Sequence, residues 1–307
     1  MVQICTPVFS AACHPDQGWT TGPWFAEGIF GEPVPLKVRR FLIDSCVTAR
    51  LVPPRGTEAF AYVIAGSGAA AASPPADRFA LGTESVLWLG ACEELSVEAG
   101  LDGLDLMIAE TTHPGADDSP GPAGQGPRDE VAGAAGQRGV PGGRPPGPAG
   151  QGPRDEVAGA AGQRGVPGGR PPGLTPRKVF AAAELPHLVS TRDTRDRLDL
   201  VTENVPVGAR AIRADRILYH PGDTAAAHYH TDCHHVFCVL AGSGLLYDGE
   251  HAHRLEAGDS ALVGPGEVHW FENDTAENFS FVEFWAPPPT ETVWTVTGDR
   301  CTWAPAG

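Results

Sequence analysis

The chain has 307 residues, a formal net charge of −16 and 41% hydrophobic residues, which is enough for two domains with substantial cores. The acidic balance argues against a nucleic-acid-binding protein, which needs a basic surface, and against binding to an anionic membrane. No apolar stretch approaches membrane-spanning length, and the N-terminus lacks the basic and apolar regions of a signal peptide. Seven cysteines, an odd number, do not indicate a disulfide framework, so we expect reduced thiols and a cytoplasmic protein.

The first part of the chain, residues 1–115, alternates short apolar runs with turn-forming residues. The clearest runs are Phe41–Ile43, Tyr62–Ile64, Val86–Leu89 and Leu104–Ile108. Runs of this length and composition, bounded by turn residues, are typical of β-strands. We therefore predict a first all-β domain over residues 1–115.

The composition changes sharply over residues 116–173. Residues 122–147 are repeated word for word as residues 148–173, and each 26-residue copy contains 8 glycines and 5 prolines. This composition interrupts helices and strands. The copies also lack the apolar residues that a stacked repeat protein buries, and their glycine period breaks too early for collagen. We predict a long disordered linker that joins two domains without fixing their geometry.

The last part of the chain, residues 174–307, is again rich in short apolar runs. Lys178 to Leu188 is predicted as a short helix that Pro186 limits. The runs that follow are predicted strands with glycine turns between them, a pattern that suits a double-sheet jelly roll enclosing a cavity. These strands are Arg210–His220, His235–Leu240, Gly244–Tyr247, Ser260–Val263, His269–Phe271 and Phe279–Trp285.

Four histidines in this second domain have spacings that suit one mononuclear metal site. His228 and His230 are two residues apart, so on a strand both imidazoles point to the same face. Residues 231–233 are turn-tolerant types, and a turn there lets His235 point inward and His234 outward on the next strand. His269 follows a Gly-Pro-Gly turn and can close the site from another strand.

The spacing resembles the two conserved motifs of the cupin superfamily. The first motif reads Gly, five residues, His-x-His, then a Glu and a final Gly, and it is matched by Gly222, His228, His230 and Gly242 with His235 at the Glu position. The second motif, PxG followed by His and Asn, is matched by Gly266, His269 and Asn273, with Gly264 replacing the proline. The resemblance covers residues 205–290.

The resemblance implies an architecture as well as a site. It implies two cupin-type jelly-roll barrels: a degenerate first barrel without metal ligands and a metal-binding second barrel. It also implies a homodimer as a possible assembly and one divalent metal ion held by His228, His230, His235 and His269. Iron is the first expectation, with manganese, nickel, copper and zinc as alternatives, because imidazole ligands suit all of these ions.

Two features of the ligand set stay open. The Glu of the family motif is His235 here, which resembles cupins with three- or four-histidine sites. His234 is an alternative third ligand, and a site made only of His228, His230 and His269 is a further alternative.

The resemblance implies a set of reactions on a small-molecule substrate. An oxygen-dependent dioxygenase acting on a small polar or aromatic substrate is the first expectation. A non-redox lyase, isomerase or cyclase is the second, and a ligand-binding protein without turnover is the third. Glu283 is a candidate general base or partner of a ligand histidine if it points inward, and a solvated residue if it points outward. Arg213 and Arg216 are candidates for holding a substrate carboxylate or for surface salt bridges.

Overall fold

The structure is a computed structural model, and the residues that it describes fall into two groups separated by residues 113–178. The predicted linker, residues 116–173, lies outside the described residues. No helix in the described part of the chain is long and apolar enough to cross a membrane. The described ranges are 2–5, 12–14, 19–24, 35–53, 57–72, 78–89, 94–112, 179–202, 211–249 and 251–306.

Apart from one short 3-10 turn, the regular elements in these ranges are strands. Those of the first group are β1 (Gln3–Cys5), β2 (Ala12–His14), β3 (Trp19–Pro23), β4 (Leu36–Ile43), β5 (Thr48–Leu51), β6 (Thr57–Ala72), β7 (Arg78–Leu81), β8 (Val86–Leu89) and β9 (Leu95–Thr112). Those of the second group are β10 (Val179–Phe180), β11 (His187–Ser190), β12 (Asp196–Val201), β13 (Arg213–Tyr219), β14 (His228–His230), β15 (His234–Ala241), β16 (Ser243–Tyr247), β17 (Ala252–Glu256), β18 (Ser260–Val263), β19 (Trp270–Glu272), β20 (Phe279–Ala286), β21 (Thr292–Trp294) and β22 (Trp303–Pro305).

Antiparallel pairing assembles these strands into two barrels. An eight-stranded sheet has the order β1-β18-β15-β20-β13-β12-β11-β22, and the small sheets β17-β16-β19 and β14-β21 complete the second barrel. A nine-stranded sheet built around the long strands β6 and β9 forms the first barrel. The predicted all-β fold of two jelly-roll barrels is confirmed.

The two parts of the chain exchange terminal strands. β1, from the extreme N-terminus, pairs with β18 in the sheet of the second barrel. In return, β10 pairs with β8 in the sheet of the first barrel. Each barrel therefore contains a strand from the other part of the chain, and the division into domains at residues 1–115 and 174–307 stays a prediction.

One face of the eight-stranded sheet lines the interior of the second barrel, and the other face packs against the first barrel. Alternate residues of β15 and β20, such as Phe237 and Phe281, fill the interior of the second barrel. The intervening residues Val236 and Phe284 face the first barrel, where Phe284 meets Phe60 with ring centroids 5.6 Å apart. The first barrel thus packs against the back of the sheet that carries the site.

The predicted helix from Lys178 to Leu188 is wrong over its described part, residues 179–188. The chain there forms β10, a 3-10 turn over Ala182–Glu184 and the start of β11. The two strands are long enough to pair with β8 and β12, and these tertiary pairings outweigh the local helical preference.

Candidate metal centre

The histidine triad, defined here as His228, His230 and His269, is assembled by strand pairing. The backbone amide of His269 donates to the carbonyl oxygen of His228 at 2.8 Å, and the reverse bond is 3.1 Å long. The amide of Gly266, in the Gly-Pro-Gly turn, donates to the carbonyl oxygen of His230 at 2.6 Å. These bonds place a histidine that is distant in sequence beside the His-x-His pair, as the motif spacing predicts.

The three imidazoles of the triad converge. One ligand atom from each lies within 4.8 Å of the other two, and the ring centroids of His228 and His269 are 4.5 Å apart. His230 and His269 are 5% and 1% exposed, while His228 is half-buried. Of the three residues, His228 is the most exposed.

Backbone carbonyls fix the orientation of each triad ring. Nδ1 of His228 lies 2.9 Å from the oxygen of Ala226, and Nδ1 of His269 lies 3.0 Å from the oxygen of Glu267. Nδ1 of His230 lies 3.3 Å from the oxygen of Glu291. A carbonyl accepts only from a protonated nitrogen, so all three rings present Nε2 as a lone pair, which is the tautomer that a metal ligand needs.

The triad is electrically neutral at ordinary pH. Burial lowers the pKa of His228 to about 3 and the pKa of His230 to about 3. Burial also places the pKa of His269 well below its usual value, and neighbouring imidazoles add to the effect. Neutral, desolvated imidazoles are good donors to a divalent ion and hold no proton that the ion must displace.

His235 lies next to the triad and points into the barrel, as the predicted turn at residues 231–233 requires. Its Nδ1 is 3.3 Å from Nε2 of His269, and its Nε2 is 3.2 Å from Oε2 of Glu283. The ring stacks on Trp285 with centroids 4.5 Å apart and an angle of 24°. His234 is half-buried and lies at the neighbouring position of β15, whose side chains alternate in direction.

Glu283 points inward and belongs to a buried charged cluster that we call the acid–arginine cluster: Arg197, Asp199, Arg213, Asp215 and Glu283. Glu283 and Asp215 are direct cross-strand neighbours, and Asp215 is fully buried. Arg197 Nε lies 2.6 Å from Asp199 and 3.0 Å from Asp215. Burial raises the pKa of Glu283 to about 7 and the pKa of Asp215 to about 8, although the arginines oppose both shifts.

The sequence analysis did not identify most of the residues that surround the histidine triad. Trp285 packs between His235 and Arg213, and Trp294 contacts the triad with its ring centroid 5.2 Å from that of His228. Asp215 was not singled out either. Asp215 and Glu283 lie on predicted strands, so the alternation of side chains along a strand could have suggested that they are buried. Alternation alone does not say which face of the strand is inside.

A comparison with protein-family models finds a cupin domain at residues 216–285. This match spans the His-x-His pair, His235, His269 and Glu283. No curated protein matches the chain.

Solved structures share the fold over most of the chain. The oxalate decarboxylase of Lactobacillus farciminis in complex with formate aligns with a TM-score of 0.64 and 14% identity, covering 95% of this chain and 88% of that one. A single-residue variant of the oxalate decarboxylase of Bacillus subtilis gives 0.63 and 13%, covering 95% and 79%. Protein Ylba from E. coli gives 0.58 and 13%, covering 93% and 90%. At these identities the likeness shows the fold.

Proposed function

On the premise that residues 216–285 belong to the cupin family, we propose that this chain is a mononuclear-metal enzyme acting on a small organic molecule. The observation that carries the proposal is the convergence of one ring nitrogen from each of His228, His230 and His269. The contacts of the three Nδ1 atoms with backbone carbonyls leave each Nε2 free to bind an ion. His235, 3.3 Å from His269, is proposed as the fourth ligand. Its Nδ1 faces the triad because its Nε2 is directed at Glu283.

The residues fit a metal by their own chemistry. Nε2 of His230 is buried and has no hydrogen-bond partner among the described residues, which is costly for a polar atom unless a ligand occupies the site. Imidazole donors suit iron, manganese, nickel, copper and zinc, and we propose iron. When bound, such an ion supplies a Lewis acid and, if redox-active, a site for dioxygen.

The reaction class proposed first is that of an oxygen-dependent dioxygenase on a small polar or aromatic substrate. An all-histidine donor set brings no negative charge and leaves room for an anionic substrate on the metal. The role proposed for Glu283 is general base. Its carboxyl is buried beside the site and can take a proton from a substrate hydroxyl.

A non-redox lyase, isomerase or cyclase is the second candidate, and the same Glu283 favours it. Because burial raises the pKa of Glu283 to about 7, this carboxyl is present both as acid and as base near neutral pH. A group of that kind suits reactions in which a proton leaves one substrate atom and returns to another. Oxygen uptake separates the two candidates.

Metal content and oxygen uptake test the proposal on the full chain purified without a histidine tag. We expect about one metal equivalent per chain, lost in a His228→Ala/His269→Ala double variant and retained in His251→Ala, whose histidine is exposed. Oxygen uptake by the iron-loaded protein across a substrate panel supports the dioxygenase. Turnover without oxygen supports the lyase or isomerase, and metal without turnover leaves a ligand-binding protein. Absence of metal after reconstitution overturns the proposal.

A further inference from the structure

We propose that Arg213 and Trp285 form a carboxylate-binding subsite beside the histidine triad, so that the substrate is an organic acid anion. This inference rests on the proposed function and specifies the substrate class of the same site. It follows from strand register, unpaired hydrogen-bond donors and the charge of the surroundings.

Strand register sets Arg213, Trp285 and His235 in one row across the sheet. Trp285 is the direct cross-strand partner of His235 on one side and of Arg213 on the other. Trp285 stacks on the imidazole of His235, and the Cζ of Arg213 lies 5.1 Å from the centre of a Trp285 ring. The guanidinium is thus held one side chain away from the proposed metal ligands, at the same end of the barrel.

Both residues of the subsite carry a donor without an acceptor. Among the described residues, Nε of Arg213 and Nε1 of Trp285 are buried and have no hydrogen-bond partner. Leaving a buried donor unpaired destabilises a protein by about 1–3 kcal/mol. Donors on two residues that contact each other are well suited to a carboxylate, which accepts several hydrogen bonds through its two oxygens.

The charges around the triad also favour an anion. The imidazoles are neutral, so a divalent ion bound there retains its full charge. Arg213 adds another positive charge, and its nearest acidic partner, Asp215, is 3.5 Å away and also contacts Arg197 at 3.0 Å. An incoming carboxylate would be attracted both by a bound divalent ion and by Arg213.

Arg216 is excluded from this role by its position. It lies three residues after Arg213 on β13, so its side chain leaves the opposite face of the sheet. There it forms a salt bridge with Glu84 of the first barrel. From the sequence, both arginines were candidates for holding a substrate carboxylate. The structure places only Arg213 beside the triad, and Arg216 serves as the matched control.

The subsite is tested by titrating the cobalt-loaded full chain with malonate and benzoate and following the visible spectrum of the ion, with malonamide as the uncharged control. We expect saturable binding of at least one carboxylate and none of malonamide. Arg213→Gln should raise the dissociation constant about tenfold or more, because hydrogen bonds to charged groups are strong. Trp285→Phe should raise it less, because it removes the N–H donor and one of the two indole rings but keeps Arg213 and an aromatic ring beside His235. Arg216→Gln should bind like the wild type.

The outcomes are distinguishable. Cobalt binding with equal carboxylate affinity in wild type, Arg213→Gln and Trp285→Phe overturns the subsite and leaves the metal site standing. Absence of carboxylate binding by the cobalt-loaded wild type does the same. Failure of the wild type to bind cobalt overturns both the proposed function and the subsite. If Arg213→Gln does not fold, Trp285→Phe decides the question.

Discussion

Nε2 of His235 lies 3.2 Å from Oε2 of Glu283, and this contact joins the histidine site to the buried charges of the barrel interior. On its other side, Nδ1 of His235 faces His269 at 3.3 Å. Asp215 stands beside Glu283 on the neighbouring strand. A change in the charge of Glu283 therefore affects the histidine site through the imidazole of His235.

The role of Glu283 is tested by Glu283→Gln, which keeps the shape of the side chain and removes its acid–base function. We expect turnover to fall by about 10²–10⁴-fold, the range for loss of a general acid or base, while the metal content stays near one equivalent. The measurement is kcat for the substrate found in the oxygen-uptake screen. Exposed Glu277→Gln is the control, and equal loss in both variants would contradict the assignment.

The choice between His235 and His234 as fourth ligand is tested by changing each to Asn. We expect His235→Asn to weaken metal binding at least about 10–100-fold, the range for loss of a group that only hydrogen-bonds to a ligand, because losing a ligand costs more. His234→Asn should leave affinity unchanged, because its side chain leaves β15 in the other direction. Competition with a chromophoric chelator measures both. Unchanged affinity in His235→Asn would leave a site of three histidines.

The motif glycine Gly242 is tested by Gly242→Ala against Gly249→Ala. Both glycines have positive φ, 74° and 93°, which costs about 1–2 kcal/mol for a residue with a side chain. A Cβ at Gly242 would also meet the backbone of Asn278, whereas one at Gly249 meets nothing within 4 Å. We expect chemical denaturation to show a larger loss of stability for Gly242→Ala than for Gly249→Ala. Equal losses would mean that the backbone near Asn278 shifts at no cost to accommodate the added Cβ.

The buried carboxyl of Asp215 is predicted to make stability depend on pH. Burial raises its pKa from 3.8 to about 8, so between these values the folded chain holds a proton that the unfolded chain releases. Stability contributed by this group therefore falls as pH rises through this window. Asp215→Asn cannot titrate at this position, so the contribution should be absent from the variant. As pH rises, the free energy of unfolding of the wild type minus that of the variant should therefore fall by up to about 1.4 kcal/mol per pH unit.

Urea unfolding of both proteins at pH 5 and pH 7.5 checks this expectation. Asp102→Asn, at an exposed position, is the control: this variant keeps Asp215, so its stability should fall with pH as that of the wild type does. A wild-type stability that rises with pH relative to Asp215→Asn would instead indicate that Arg197 and Arg213 keep Asp215 ionised.

The sequence by itself determined the parts of the site that depend on local periodicity. The spacing of His228 and His230, the turn at residues 231–233 and the Gly-Pro-Gly turn before His269 predicted the convergence of the triad. Apolar runs bounded by turn residues predicted the strands, because side chains alternate along an extended backbone whatever its neighbours are. The His-x-His pair and the later histidine also carried the family resemblance, which a domain match confirms.

Only the tertiary structure decided which faces are buried and which strands pair. Strand parity does not say which face of a sheet is buried, so it left Glu283 inward or outward and did not say which of Arg213 and Arg216 faces the barrel interior. The pairing of β13 with β20 and the interior packing of Ile217, Tyr219 and Phe281 settled both questions. The exchange of β1 and β10 between the barrels has no local signal, since a strand of two or three residues is fixed by its partners rather than by its own sequence. Burial of Asp215 and Glu283 likewise depends on residues far away in the chain, because desolvation reflects everything that packs around a group.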